Sequence, residues 1–289
     1  MKLYTVTVPE DQKPGKLYPL LCRLLPQLPA HVIRDAFDKR DVKQSGQRVG
    51  RDALLEPGAE IRLYTPYEGE EPTVPIVYLD EHILVVRKPA GISCQSDAKG
   101  GATIEEFAHR ALLLRQPGAL RPMVCHRLDN QTEGLLVLAR TAEAKAAMEE
   151  GFYHHRIRKR YVCLVKGTPE TKEKTLRAWL RKDAAKGRVQ ILRHDAPDAL
   201  PIITEYKVLE AGERARLLVT LHTGRTHQIR AQMAAVGHPL LGDDLYGDRA
   251  FNKQQKCRRL MLCAVELRFL LEGPWAYLND LVLKTEPGF

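Results

Sequence analysis

The chain has 289 residues, 44% of them hydrophobic and 28% charged, which suits a large folded core plus a small one and excludes a disordered polymer. No apolar run reaches the roughly 18 residues of a membrane helix, and the N-terminal MKLYTVTVPEDQK is acidic where a secretion signal would be apolar, so a cytoplasmic protein with no membrane partner is expected. A net charge of +9 points to an anionic partner, nucleic acid being the commonest, or to a basic solvated surface; six scattered cysteines without CxxC, and histidines without HExxH, predict reduced thiols and no metal site.

In chain order, LYPLLCRLLPQL predicts a helix, with Leu17, Leu20, Leu21, Leu24 and Leu25 at helical spacing. AHVIRDAFDKR predicts a second helix after Pro29. DVKQSGQRVG reads as strand, Ser-Gly turn, strand, and LLEPGAEIRLYTP as a Pro-Gly turn and a closing strand. Two helices followed by a small hairpin resemble an S4-type RNA-binding domain, placed at residues 1–66. The likeness is degenerate: Lys16-Leu17-Tyr18 stands where the family opens with Arg-Leu-Asp, and Ala30-His31 where it has Ser-Arg. Polar, Pro-rich residues 67–75 read as a linker to a second domain, 76–289.

That domain opens with IVYLDEHILVVRKPAG, two strands around an Asp80-Glu81 turn. TIEEFAHRALLLR predicts a helix with a Thr103/Glu106 capping box. A strand at Leu135–Ala139, a helix in TAEAKAAMEEGFYHH and strands in KRYVCLVKG and RARLLVTLH follow. RTHQIRAQMAAVGHP predicts a helix ending at Gly237, and RLMLCAVELRFLL late strands. Helices and strands alternate unevenly and no Gly-rich phosphate loop follows a strand, so the fold class is α+β, mostly antiparallel, not doubly wound.

Two stretches concentrate reactive groups. In CHRLDNQTEGLLVLAR, His126, Arg127, Asp129 and Glu133 crowd the mouth of an apolar strand. Asp129 is either a turn aspartate satisfying backbone N–H groups or an ionised nucleophile at a cleft edge. A nearby guanidinium favours the ionised form, and Arg127, Arg225 and Arg230 are the candidates. In GRTHQIRAQMAAVGHPLLGDDLYG, Gly224 or Thr226 is expected at a helix start, where N–H groups attract anions. His227 and Arg230, three apart, would share a helix face. The alternative is a basic, solvated helix end, with GDDLYG as a structural turn.

Taken in order, HRLDNQTEGLLVLAR, KRYVCLVKG and GRTHQIRAQMAAVGHPLLGDDLYG resemble the three motifs of the RluA-type pseudouridine synthases, and the resemblance spans about residues 75–272. It implies a mixed, mostly antiparallel catalytic sheet with flanking helices and a central cleft. It also implies an RNA pseudouridine synthase, isomerising uridine with no cofactor, by a covalent or an elimination route. Asp129 would be the catalytic aspartate, Tyr161 the tyrosine that contacts the target base, and Arg230 the basic partner of Asp129. Arg127 with His126, Arg225, His227 and Ile229 would line the substrate side, and Lys88 would be a basic loop residue near the RNA backbone. Glu133, a departure from the family, would add negative charge near the RNA edge. RIRKR at 156–160 and the basic 177–193 segment are further expected RNA contacts. The expected partner is structured RNA, 23S ribosomal RNA first and transfer RNA second, bound by a monomer. Two rivals remain: a non-catalytic RNA-binding factor, and a hydrolase built on His126 and Asp129, for which no G-x-S-x-G elbow is present.

Overall fold

The computed structural model describes residues 1–12, 14–25, 28–67, 74–95, 103–183 and 187–289. The chain packs as two units, Met1–Thr73 with Ser96–Ala119, and Val74–Gln95 with Leu120–Phe289.

In the first unit, β1 (Lys2–Thr7) precedes α1 (Leu17–Leu24), α2 (Ala30–Asp38), β2 (Val42–Gln44), β3 (Gln47–Arg48) and β4 (Glu60–Thr65). The strands form one antiparallel sheet in the order β1-β4-β2-β3. The helical spacing does what it predicts: Leu17, Leu20 and Leu21 of α1 meet Ile33 and Phe37 of α2 over Ile61 and Leu63 of β4 in one buried cluster. Ser45 and Gly46 both take positive φ, 48° and 82°, the conformation a two-residue hairpin turn requires. β1 escaped the sequence reading, since no side chain in it is fully buried. The capped helix α3 (Ile104–Leu113), expected in the second domain, groups with this unit instead, and its Arg110 donates to the Leu28 carbonyl.

The second unit runs β5 (Ile76–Leu79), β6 (Ile83–Lys88), β7 (Met123–Val124), β8 (Glu133–Ala139), α4 (Ala142–Tyr153), β9 (Ile157–Lys166), β10 (Glu173–Asp183), β11 (Arg188–Leu192), β12 (Ala199–Glu210), β13 (Arg214–Leu221), α5 (Gln228–Ala235), α6 (Arg249–Gln254), β14 (Leu262–Phe269) and β15 (Val282–Lys284). One sheet orders them β11-β10-β12-β13-β9-β14-β8-β6-β5, with β15 on β14 and β7 on β8. Every described pairing is antiparallel except β14 with β8, a parallel seam of two residue pairs, Cys263 with Glu133 and Ala264 with Gly134. This is the mixed, mostly antiparallel sheet the motifs implied.

All seven residues of β8 are buried, which is why Leu135–Ala139 is a continuous apolar run and not an alternation. Its Leu135 and Val137 pack with Ala144 and Met148 of α4, and each such aliphatic contributes about 1.5–3 kcal/mol by leaving water. At the seam, Gly134 has φ 118°, and a Cβ there would lie 2.3 Å from the Ala264 carbonyl oxygen. Only glycine lets the two half-sheets meet, five residues beyond Asp129.

Candidate active site

The loop Cys125–Thr132 leads from β7 into β8 and is braced through its backbone. Leu128 N–H donates to Cys94 Sγ, and the Cys94 thiol donates to the Leu128 carbonyl, both at 3.4 Å. Gly91 N–H donates to the Asn130 carbonyl at 2.9 Å, and Thr132 N–H closes a turn on the Asp129 carbonyl at 3.0 Å. His126 Nε2 accepts Val137 N–H at 3.1 Å, and burial holds the ring's pKa well below the ordinary value, so it is neutral. Asp129 therefore is a turn residue through its main chain, while its carboxylate takes no part in the bracing.

Lys88 belongs to that bracing as well. It was expected in a loop near the RNA backbone. It lies instead in β6, fully buried, and its ammonium donates to the carbonyls of Thr132 (2.8 Å), Asn130 (2.9 Å) and Pro89 (3.0 Å). All three donors are used. Burial pushes its pKa down to about 8. Glu133 likewise is buried and accepts the Gly288 N–H at 2.6 Å, so its charge does not face an RNA edge.

The second part of the site follows β13. The helix expected from Gly224 or Thr226 starts later, at Gln228, with His227 as N-cap in the left-handed region (φ 55°). The buried Gln228 side chain explains the delay. Its Oε1 accepts Arg225 N–H (3.0 Å) and the Thr223 hydroxyl (2.9 Å), and its Nε2 donates to Thr204 Oγ1 (2.9 Å), pinning the 223–225 turn to β12. The His227 ring meets the Tyr246 hydroxyl at 3.0 Å, and burial lowers its pKa although Asp129 pulls the other way.

Arg230 is the fixed charge of the site. Its Nε and Nη2 donate to Asp243 at 2.7 and 2.8 Å, Nη2 also to Asp244 at 3.1 Å, and Nη1 reaches Asp129 Oδ2 at 3.4 Å. Burial works against its charge, but the hydrogen bonds and charge of Asp243, then Asp129, raise its pKa above the ordinary arginine value. Asp243 is itself held by the N–H groups of Leu245 and Tyr246 (2.9 and 3.0 Å). Burial opposes its ionisation too, and Arg230 overrides this to lower its pKa. Gly242 starts that turn; a Cβ there would fall 1.7 Å from the Arg259 carbonyl oxygen.

Tyr161 stands on β9 between Val219 of β13 and Ala264 of β14, 4% exposed. Burial, then the charge of Asp129, raise its pKa above the ordinary phenol value, so at neutral pH it is a protonated donor. Asp129, Tyr161, Arg230, His227 and Ile229 line one small pocket of about 60 Å³. Asp129, Arg127 and Arg225 also border the larger cleft beside it, about 1080 Å³. Arg127 and Arg225 are exposed. The RIRKR run does not act as one patch. Arg158 and Arg160 border the cleft, Ile157 is buried, and Arg156 pairs with Glu150 and Glu272.

Sequence reasoning missed Gln228, placed Asp243 only in a structural turn, and took Lys159 only as part of the basic RIRKR run. Gln228 sat unremarked in the third motif, where only burial reveals it. Lys159 Nζ lies 5.0 Å from the Phe152 ring centroid on the cleft wall, its pKa pushed down to about 8 by burial.

The family model described as RNA pseudouridylate synthase matches residues 82–235, more than half the chain. The chain belongs to the RNA pseudouridylate synthase family. The synthase is 30% identical over 283 residues to the ribosomal large subunit pseudouridine synthase C of Vibrio parahaemolyticus, covering 91% of this chain and 87% of that one. It is 30% identical over 288 residues to the protein of the same name from Escherichia coli, covering 93% and 89%. Among solved structures, human RNA pseudouridylate synthase domain containing 1 superposes with a TM-score of 0.59 at 25% identity, over 76% of this synthase and 92% of that chain. The RluA-type assignment of the three motifs is thereby shown. The synthase is an RNA uridine isomerase, with RNA as its partner.

Proposed function

We propose that the synthase isomerises one or more uridines of large-subunit ribosomal RNA, with Asp129 as the reacting carboxylate. One observation carries the residue assignment: Asp129 borders both the small pocket and the open cleft, and its carboxylate is free of the braces that fix its loop. The names of the relatives support the RNA. Transfer RNA is the second choice, and a cytoplasmic monomer is the expected working form. Within the first unit, residues 1–66, with α1, α2 and the β2–β3 hairpin, serve as an S4-like RNA-binding domain.

The reaction breaks the N1–C1′ bond, turns the base and joins C5 to C1′; C5 loses a proton and N1 gains one. Asp129 acts by attacking the nucleotide or by accepting a proton that starts an elimination. Arg230 stays anchored on Asp243 while offering one N–H to Asp129, so its charge is preorganised beside the reacting group. Tyr161, a protonated phenol, is suited to donate to the base or to position a water. The target uridine must leave its stack, which costs a few kcal/mol, and Arg127 and Arg225 on the cleft are placed to hold its flanking phosphates.

Pseudouridine mapping tests this. The purified synthase should convert specific uridines in unmodified 23S ribosomal RNA, and the same positions should lose the modification in cells lacking the gene. Conversion confined to transfer RNA, or none in either RNA, would overturn the substrate assignment.

A further inference from the structure

α4 ends in two aromatic residues that part company. The Phe152 ring lies 4.1 Å from the His126 ring, with Lys159 over it. Tyr153 is 78% exposed, and its ring meets only the edge of His154, at 4.9 Å. Among the described phenylalanines, tyrosines and tryptophans only Tyr153 and Tyr277 are exposed, and of these only Tyr153 borders the cleft. No described hydrogen bond holds its hydroxyl. The fold thus leaves a large flat apolar surface in water at the rim of an RNA-binding cleft.

Its surroundings are more basic than acidic. Arg158, Lys159, Arg160 and Arg225 border the same cleft, alongside Glu149, Glu205 and Glu266. Asp129, Tyr161 and Arg230 meet at a pocket of about 60 Å³, whereas the cleft holds about 1080 Å³. A single drug-sized ligand fills a pocket of about 300–1,000 Å³, so a target nucleoside seated at Asp129 leaves room for its neighbours. An exposed ring among cations is how proteins hold unpaired bases: the ring stacks on the base and the cations meet the phosphates.

We propose that Tyr153 is a stacking platform for one unpaired nucleobase next to the target uridine, with Arg158 and Arg225 on the flanking phosphates. This subsite lies outside the chemistry and selects RNA in which a neighbour of the target is also unstacked. It rests on the reading that the cleft takes RNA with its target at Asp129.

The test compares wild type, Tyr153→Ala and Tyr153→Phe in single-turnover assays on unmodified 23S ribosomal RNA, titrating enzyme. Tyr153→Ala should raise the half-saturating concentration by about 5- to 100-fold, the range base stacking supplies, and leave the maximal rate nearly unchanged. Tyr153→Phe, which keeps the ring, should match wild type. The second arm needs no catalysis. A short oligouridylate should bind wild type more tightly than the same sugar-phosphate chain without bases, and Tyr153→Ala should lose that preference. Unchanged affinity in Tyr153→Ala, or equal losses in Ala and Phe, would overturn the platform. Failure of wild type to modify the RNA, with the oligouridylate preference intact, would overturn the ribosomal assignment and leave the platform standing.

Discussion

The loop that carries Asp129 and the helix that carries Arg230 are immobilised in opposite ways. In the first, main-chain groups are tied down by Lys88, Cys94 and Gly91, and the carboxylate is left 23% exposed with one 3.4 Å contact. In the second, the side chain itself is saturated: Arg230 is 4% exposed and makes two bonds of 2.7 and 2.8 Å to Asp243. The carboxylate of Asp129 is held mainly through its backbone, and the charge beside it is held by its head. That division leaves the carboxylate free and the field around it fixed, the arrangement electrostatic preorganisation would need if Asp129 reacts as proposed.

The comparison breaks most directly at Asp129. Asp129→Asn should reduce pseudouridine formation by about a thousandfold or more while RNA affinity stays within about tenfold, because the group acts in the transition state and contributes little ground-state binding. Single-turnover rates and filter binding on the same RNA separate the two. A variant that keeps more than a few per cent of activity would show that Asp129 is a turn residue and nothing else.

Asp243→Asn attacks the other member. Breaking one side of a buried ion pair typically costs about 3–5 kcal/mol, so the melting temperature should fall, and turnover should drop by about a hundredfold as Arg230 loses its anchor. The pH dependence gives a finer reading. Arg230 lowers the folded-state pKa of Asp243 against the opposing effect of burial. Its stabilisation is therefore complete above the unfolded value of about 4 and is lost as pH falls through the lower folded value. Asp243→Asn should flatten that acid limb of the stability curve. An unchanged limb would mean that Asp243 is not the anchor.

Tyr161→Phe removes a hydroxyl and leaves a ring in the sheet. No described hydrogen bond holds that hydroxyl, so stability should change by less than about 1 kcal/mol. Turnover should fall by about a hundredfold, the lower end of what a positioned proton donor contributes. Normal turnover would reduce Tyr161 to packing.

How far the sequence could be read follows from the same contrast. Asp129, Tyr161, Arg230, His227 and Ile229, picked from three separate motifs, line one pocket: Asp129 on the loop before β8, Tyr161 on β9, and the other three at the start of α5. The apolar run of β8 was readable because a strand buried on both faces has no alternation to obscure it. The basic 177–193 segment was read as a further RNA contact or an ordinary solvated face, and residues 177–183 and 188–192 of it lie in β10 and β11. Leu176 and Leu180 are buried while Arg177 and Arg181 are exposed, so these charges lie on the solvent face of a strand. Lys88 was expected in a loop because a charged residue looks solvated in a sequence, and only its buried partners reveal otherwise.

The smallest expected effect separates the two cations that were assigned alike. Arg225 is exposed on the cleft, and Lys88 is fully buried with three carbonyls on its ammonium. A phosphate contact releases counterions, so losing one should lower the slope of log affinity against log salt by about 0.7–0.9. Arg225→Ala should show that decrease, with a loss of affinity of about tenfold or less and an unchanged melting temperature. Lys88→Met should leave the salt slope as it is. It should instead lower the melting temperature, since three carbonyls lose their donor and each buried unpaired group costs about 1–3 kcal/mol. Binding titrations across a potassium chloride series, paired with thermal melts, read both. A salt slope that changed in Lys88→Met and not in Arg225→Ala would place the phosphate contact on the strand and not on the turn after β13.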